Sequence, residues 1–347
     1  VATEKNTILV TGGIGYIGSH TVVALLQQGF DVVIVDNLCN SSLFILDRIK
    51  KISGILPRFY QVDCCDKIEL EKVFEAEKSI SASIHFAALK AVGESVNKPL
   101  LYYKNNLISL MNLVELQLKY EVSRIVFSSS CTVYGEPDAL PVTELSPVKI
   151  AASPYGNTKQ IGEEILFDTT KVSNLKAIAL RYFNPVGAHE SALIGELPNG
   201  TPNNLVPYIT QTAIGKQPFL KVFGNDYNTP DGTCIRDYIH VDDVAAAHVS
   251  ALNRLLKVNE SANFELFNIG TGTGNTVLEV IHAFEEATGV SLPYQIYPRR
   301  GGDIEKVYAN TDLSNKTLNW TSKFNLKQMM ASSWEWEKQL AKNNNYE

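Results

Sequence analysis

A short apolar run, Thr7-Ile8-Leu9-Val10, opens directly into Thr11-Gly12-Gly13-Ile14-Gly15-Tyr16-Ile17-Gly18, and a helical pattern follows through Leu25 and Leu26. No other stretch restricts the chain as much. A strand this apolar suits a sheet buried on both faces, as parallel sheets are. Gly12, Gly15 and Gly18, spaced G-x-x-G-x-x-G, allow a tight turn, a close backbone approach and contact of helix with strand. The helix N-terminus behind them is a seat for a phosphate. One βαβ length later, Val32-Val33-Ile34-Val35 ends in Asp36, placed to accept hydrogen bonds from an adenosine ribose. Its charge opposes a 2′-phosphate and no arginine follows at once, so the expected dinucleotide is NAD, not NADP. A helix-capping role for Asp36 in Asp36-Asn37 is the other reading of that acid.

Strand and helix go on alternating. Phe59-Tyr60-Gln61-Val62 leads into Asp63, Leu70 to Phe74 has helical spacing, and Ile84-His85-Phe86-Ala87-Ala88 ends another strand. Asp63 and Phe86-Ala87 therefore lie on the carboxyl edge of a parallel sheet, where such folds bind ligands. Lys90, just beyond, reaches a ribose hydroxyl. An apolar-periodic helix spans about Leu100 to Tyr120 and bears Asn105 and Asn106; a buried amide needs a partner, and for Asn105 the cofactor is the expected one. Arg124-Ile125-Val126-Phe127 runs into Ser128-Ser129-Ser130, and Ala177 to Leu180 delivers Arg181 to Gly187. The expected fold class is α/β, a Rossmann-type doubly wound parallel sheet.

Beyond Gly187 the alternation gives way to Pro, Asn and Gly, with apolar anchors at Leu205, Tyr208, Ile209 and Phe223. That composition reads as a smaller α+β substrate-binding lobe. Regular patterning returns at Ile235 to Val244, Phe267 to Gly270 and Thr276 to Thr288. The expected division is 1–185 with 236–271 for the nucleotide domain, and 186–235 with 272–347 for the lobe. Pro298-Arg299-Arg300-Gly301-Gly302-Asp303 reads as a turn whose two guanidiniums suit a diphosphate. Trp334 and Trp336, on a closing amphipathic helix, read as packing.

At 347 residues and 45% hydrophobic content, the chain can bury a sizeable core. A net charge of −6 offers no basic field for a polyanion, so nucleic acid is not an expected partner. Five cysteines, Cys39, Cys64, Cys65, Cys131 and Cys234, form no C-x-x-C and stand at no metal-ligand spacing with histidine, so no metal is expected. No apolar run reaches the roughly 18 residues of a membrane span, and the first residues lack the apolar core of a signal peptide. A cytoplasmic setting without a membrane partner is the expectation. His85, His240 and His248 lie in apolar contexts and are expected to be satisfied, buried imidazoles.

Ser153-Pro154-Tyr155-Gly156-Asn157-Thr158-Lys159 opens a segment of helical pattern through Leu166. Tyr155 and Lys159, four residues apart, share one helix face. An ammonium about 4 Å from a developing phenolate stabilises it by roughly 4 kcal/mol at an effective dielectric of about 20. That is about three pK units, enough to bring a tyrosine from about 10 towards 7, where it acts as a base. The same spacing also occurs on ordinary solvated helix faces; the glycine turn and the sheet edge give the pair its meaning here. Ser130 is the candidate hydroxyl beside the phenol, and within Ser128-Ser129-Ser130 the individual choice stays open.

Gly12 to Gly18, Asp36, Ser130 and the Tyr155/Lys159 pair together resemble the extended short-chain dehydrogenase/reductase superfamily. Longer strings are similar to the UDP-galactose 4-epimerase family: Asp36-Asn37-Leu38, Phe86 to Ser95, Ser128 to Gly135, Arg181 to Gly187, Pro202 to Leu205, Phe223 to Tyr227 and Arg236 to Val241. The resemblance runs from about Thr7 to Trp336. It implies an NAD-dependent isomerase of galactose metabolism that interconverts UDP-galactose and UDP-glucose. By position, it implies that Gly12, Gly15, Tyr16, Ile17 and Gly18 meet the pyrophosphate of NAD, Asp36 and Asn37 its ribose, and Asp63 and Cys64 its adenine. Phe86, Ala87, Lys90, Asn105, Ser130, Tyr155, Lys159 and Phe183 complete the implied cofactor site. The implied UDP-sugar site comprises Lys90, Ser130, Tyr155, Asn184, Asn204, Leu205, Val222, Phe223, Arg236, Arg300, Asp303 and Val307.

In the implied mechanism Tyr155 takes the proton of the sugar 4-hydroxyl, Ser130 helps it move, and Lys159 with the nicotinamide charge depresses the phenol pKa. A homodimer is implied, through a bundle of the helices near Leu100 to Tyr120 and Tyr155 to Lys171. Ile14, Ala88 and Cys131 are larger than the residues usual at those positions, each adding volume near the cofactor. Val307 stands where side-chain size is associated in this family with admitting N-acetylated sugars. Two other readings stay open. A nucleotide-sugar dehydratase or decarboxylase on the same scaffold is one, the dehydratase opposed by the lack of carboxylates at Ser130-Cys131-Thr132; a non-catalytic sensor of NAD or UDP-sugar is the other, and it has no need of the Ser/Tyr/Lys set.

Overall fold

In a computed structural model, which describes residues 6–198, 200, 202–257, 262–300 and 303–342, the expected strands line up side by side. They are β1 (Thr7–Thr11), β2 (Asp31–Asp36), β3 (Arg58–Gln61), β4 (Ile80–His85), β5 (Arg124–Ser130) and β6 (Lys176–Tyr182). Helices α1 (Tyr16–Gln27), α2 (Phe44–Ser53), α3 (Lys67–Ala76), α4 (Val92–Asn97), α5 (Pro99–Lys119) and α6 (Pro154–Val172) connect them. The chain then forms β7 (Asn184–Val186), α7 (Leu205–Ala213), β8 (Leu220–Phe223), β9 (Ile235–His240), α8 (Val241–Leu256) and β10 (Phe264–Ile269). It closes with β11 (Gly274–Thr276), α9 (Val277–Thr288), β12 (Tyr294–Tyr297), β13 (Lys306–Val307), α10 (Asp312–Leu318) and α11 (Leu326–Lys342).

The main sheet has the order β3-β2-β1-β4-β5-β6-β10, with every neighbouring pair parallel. The order reverses between β1 and β4, which opens a crevice at their carboxyl ends. Alternation along each strand feeds two cores. Ile8, Val10, Ile34 and Ile178 meet Val22, Leu25, Val244 and Leu252 of α1 and α8 on one face. Leu9, Val33, Ile125 and Ala177 meet Leu113, Leu116 and Leu166 of α5 and α6 on the other. Ser128 to Ser130, expected just after the strand, lie inside β5, paired with Leu180, Arg181 and Tyr182. The ladder to β6 overrides the weak strand preference of serine.

A second sheet is built on β9, which pairs with β11 antiparallel and with β13 and β7 in parallel, while β8 and β12 form a separate pair. The expected return to the main sheet at 236 is thereby shifted: Ile235–His240 belongs to the second sheet, and the chain rejoins the first through α8 and β10. A short strand of mixed character, Ile235-Arg236-Asp237-Tyr238-Ile239-His240, fits either sheet, so its pattern did not decide. The buried Asp237 fixes β9 there, accepting from Thr271 N (2.9 Å), Thr271 Oγ1 (2.7 Å), Gly272 N (3.1 Å) and Ala309 N (3.2 Å). Among the described residues, no helix is long and apolar enough to cross a membrane.

The glycine turn packs as its spacing implied. Gly12 has φ +69°, and a Cβ on it would stand 2.8 Å from Ala87 N; a Cβ on Gly18 would stand 2.1 Å from Gly12 O. Ile14 points into the core beneath the turn, so its added volume falls there and not on the expected cofactor side. Gly18→Ala is expected to cost about 1–3 kcal/mol through overpacking against backbone, read as a lower midpoint in urea unfolding.

Candidate active site

Helix α6 starts on a cap in which Ser153 Oγ accepts from Gly156 N at 3.2 Å, with Pro154 in the first turn. This sets Tyr155 and Lys159 one turn apart, both buried. Lys159 Nζ donates to the Ser128 carbonyl at 2.6 Å and lies 4.9 Å from the ring centre of Phe127 and 5.8 Å from that of Tyr155. Ser130 lies close enough to the Tyr155 phenol to favour its ionised form, and its Oγ accepts from Thr132 N at 3.3 Å. The three residues thus meet at the carboxyl end of β5.

Burial drives the Tyr155 phenol far above the ordinary tyrosine value, the Tyr182 phenol adds to the rise, and Ser130 opposes it. Burial also pushes Lys159 down to about 8, with Glu163 opposing. The expectation that Lys159 brings the phenol towards neutrality is therefore corrected for the protein alone. Its ammonium is engaged by the Ser128 carbonyl, and desolvation of a phenolate outweighs what it supplies.

At the crevice, Gly15 caps α1 without a side-chain acceptor, and no acid stands in the first turn. The first N–H groups and the positive end of the helix dipole are available to an anion. Asp36 Oδ1 accepts from Leu38 N (2.9 Å) and Ser41 Oγ (2.7 Å), while Oδ2 has a long 3.4 Å contact with Ile14 N and keeps room to accept a hydroxyl. Asn37 Nδ2 donates to Asp63 Oδ2 at 3.2 Å, and the buried Cys64 is held through its carbonyl by Asn112 Nδ2 at 2.9 Å. Phe86 packs 4.6 Å from His248, Ala87 N faces Thr11 Oγ1, and Ile17 packs on the core. Asn105 is only half-buried and donates to Asn106 Oδ1 at 3.0 Å. The buried amide is Asn106, which clamps Leu89 N and O at 2.8 and 3.0 Å. This backbone fits a dinucleotide.

Across the crevice, Phe183 and Val307 are buried with Val133, Tyr134 and Val142, and Cys131 packs on them. Burial pushes the Cys131 thiol up to about 12. Asn184 begins β7 and Leu205 begins α7, whose N-cap Asn204 donates to Glu196 Oε1 at 2.8 Å. Val222 turns into the lobe core, so its backbone is what the crevice can meet. Phe223 lies 4.9 Å beneath the Arg300 guanidinium, which pairs with Asp303 at 3.0 and 3.1 Å. Arg236 Nη1 donates to Ile235 O at 2.8 Å, in register with Val307. Arg299 does not join Arg300: it pairs with Asp226 at 2.7 Å and stacks on Tyr227. Gly301 and Gly302 lie outside the described residues.

Residues 8–270 match the NAD dependent epimerase/dehydratase family. The chain belongs to that family. It is 52% identical over 336 residues to a UDP-glucose 4-epimerase of Pasteurella multocida, covering 96% of this chain and 98% of that one. It is 51% identical over 339 residues to one of Schizosaccharomyces pombe, covering 96% and 94%. A crystal structure of UDP-glucose-4-epimerase from Stenotrophomonas maltophila with bound NAD and formylated UDP-arabinopyranose superposes with a TM-score of 0.94, at 47% identity and with 97% and 99% of the chains covered. One from Bifidobacterium longum in complex with NAD+ and UDP gives 0.92, at 46% identity and with 96% and 98% covered.

In this epimerase/dehydratase family member, two further residues organise the site. Glu163 on α6 accepts from Arg181 at 2.9 and 2.5 Å and from Ser129 Oγ at 2.5 Å, tying α6 to β5 and β6 beside Ser128 and Ser130. Tyr182 hydrogen-bonds Ser128 Oγ and lies 5.9 Å from His248. The one available signal was Arg181 itself, a charge at the end of an apolar strand that needs a buried partner. The histidines are structural, as expected. His85 Nδ1 meets Thr11 Oγ1 and His248 Nδ1 meets Val244 O, each at 2.8 Å, and His240 caps α8. Burial lowers them to about 3, about 4 and about 4 respectively, so all three are neutral at pH 7. No group of three or more His, Cys, Asp or Glu among the described residues could hold a metal.

The Lys159 shift has a thermodynamic signature. With a folded value near 8 and an ordinary value of 10.5, the unfolded chain binds more protons between those pH values. Stability therefore rises with pH across that window, and the benefit is absent below it. Lys159→Met lacks this gain. In urea unfolding of the unliganded protein at about pH 8 and about pH 10, the difference between parent and variant is expected to move in the parent's favour, by about 2 kcal/mol.

Proposed function

We propose that the chain is an NAD-dependent UDP-glucose 4-epimerase. The observation that carries this reading is the meeting of Ser130, Tyr155 and Lys159 at the crevice edge of a chain alike over nearly its full length to proteins of that name. We assign Gly12, Gly15, Tyr16, Ile17 and Gly18 to the pyrophosphate, Asp36 and Asn37 to the ribose, Asp63 and Cys64 to the adenine, and Phe86, Ala87, Lys90, Asn105 and Phe183 to the remainder of NAD. Asn184, Asn204, Leu205, Val222, Phe223, Arg236, Arg300 and Asp303 are assigned to the UDP-sugar, with Val307 in the wall beside the hexose.

NAD, when bound, supplies a hydride acceptor for the sugar C4 that returns the hydride to the other face, so it ends as it began. Tyr155 accepts the proton of the 4-hydroxyl as C4 becomes a ketone, and gives it back after the sugar has rotated. Ser130, beside the phenol, helps that proton move. Lys159 contributes positive charge and holds the end of β5 in place through the Ser128 carbonyl. Burial raises the Tyr155 phenol in the protein alone, and the positive charge of a bound nicotinamide would add to that of Lys159 in opposing it. The cluster of Phe183, Val307, Val133 and Tyr134 keeps water from the ketone.

We also propose two lobes, divided as expected except that β9 goes with the second, and a cytoplasmic setting consistent with five free cysteines. Pairing of two copies through α5 and α6 is supported by exposed Leu100, Leu101, Met111 and Phe167 along those helices.

Incubation with UDP-galactose without added NAD is expected to yield UDP-glucose; loss of water would indicate a dehydratase and no change a sensor. Tyr155→Phe is expected to retain bound nicotinamide by absorbance and to lose about 100-fold or more in kcat. Val307 gives the hexose wall a short side chain, so UDP-N-acetylglucosamine is expected to turn over at concentrations saturating for UDP-glucose. Light scattering is expected to give twice the chain mass.

A further inference from the structure

We infer that Glu196 is a positioning residue, a clasp that joins the two walls of the crevice by holding Lys90 and Asn204 on one carboxylate oxygen. Lys90 Nζ donates to Glu196 Oε1 at 2.9 Å, and Asn204 Nδ2 donates to the same oxygen at 2.8 Å. Lys90 belongs to the segment after β4 on the main-sheet side, whereas Asn204 is the N-cap of α7 in the second lobe. One faces the cofactor and the other the sugar nucleotide in the function proposed above, on which this inference rests.

Exposed ion pairs usually contribute little, because two long side chains must be ordered in water. Here both backbones are already fixed. Asn106 clamps Leu89, the neighbour of Lys90, through N and O. On the other side Trp336 Nε1 donates to Glu196 O at 2.7 Å, and the same indole covers Gly195 so closely that a Cβ there would stand 2.7 Å from it. The Glu196 side chain is 11% exposed, against 55% for Lys90. Tyr16, the first residue of α1, adds a second tie by donating to Gly187 O at 2.6 Å, and Lys90 Nζ sits 5.7 Å from its ring centre. Trp336, read from sequence as packing, thus anchors the clasp.

A carboxylate in this position makes the grip on the dinucleotide and the grip on the UDP-sugar interdependent. Losing its charge frees Lys90 and Asn204 to move apart without touching Ser130, Tyr155 or Lys159. In the holoenzyme, Glu196→Gln is expected to release nicotinamide about fivefold faster, followed by absorbance of the retained fraction after dilution and filtration. Its KM for UDP-galactose should rise by a similar factor, and by more than kcat falls. Release from the parent should accelerate with added salt, and release from Glu196→Gln should respond less, because an ion pair has been removed. A purely structural role would lower thermal stability without changing the salt response. Parent protein that holds nicotinamide and epimerises, beside a variant with unchanged release and KM, would overturn the clasp alone. Parent protein that does neither would overturn the proposed function, and the clasp with it.

Discussion

Almost everything in this molecule is arranged around the cost of placing a phenol and an ammonium together where water is scarce. Tyr155 resists ionisation there and Lys159 resists protonation, each because burial penalises its charged form. The surroundings counter this with fixed dipoles and a distant charge: the Ser128 carbonyl on the ammonium, the Ser130 hydroxyl on the phenol, and Glu163 one turn along the helix. Glu163 is itself paired with Arg181 and hydrogen-bonded by Ser129, so the electrostatics of the pair cannot be separated from the packing of α6 on β5 and β6. A buried pair of this kind is weak support for stability and good support for register. That is what a hydroxyl, a phenol and an ammonium need if they are to meet at one carbon.

The features legible in the sequence are the local ones. Glycine spacing fixed the turn because the demand for φ +69° at Gly12 and for bare backbone at Gly18 is met within a few residues. Apolar runs located the strands because burial on both faces leaves them no polar side. The Tyr155/Lys159 pair was visible because one helical turn relates its members. All these signals survive without knowledge of the fold.

What escaped depends on contacts between remote segments. Glu196 meets Lys90 across 106 positions and Trp336 across 140, and no pattern in either neighbourhood predicts those meetings. Asn105 and Asn106 were separated only by which way one helical step turns the side chain, and the buried one proved to be Asn106. β9 was grouped with the nucleotide domain because a short strand pattern does not record its neighbours; the buried carboxylate of Asp237 and its ring of amide donors do. Ile14 looked like a crowding residue at the cofactor and is a core residue instead. In each case the residue type was informative and its direction was not.

The passage from β6 to β7 has a mechanical result. Tyr182 ends a strand of the first sheet, Asn184 begins one of the second, and the single residue between them is Phe183, itself buried. So short a join leaves the chain no slack at this seam, and the residue that makes it is locked into the packing of Val133, Tyr134, Val142 and Val307. A shift of one sheet against the other here has to disturb that packing, so the spacing of the walls at the seam is set by the core itself.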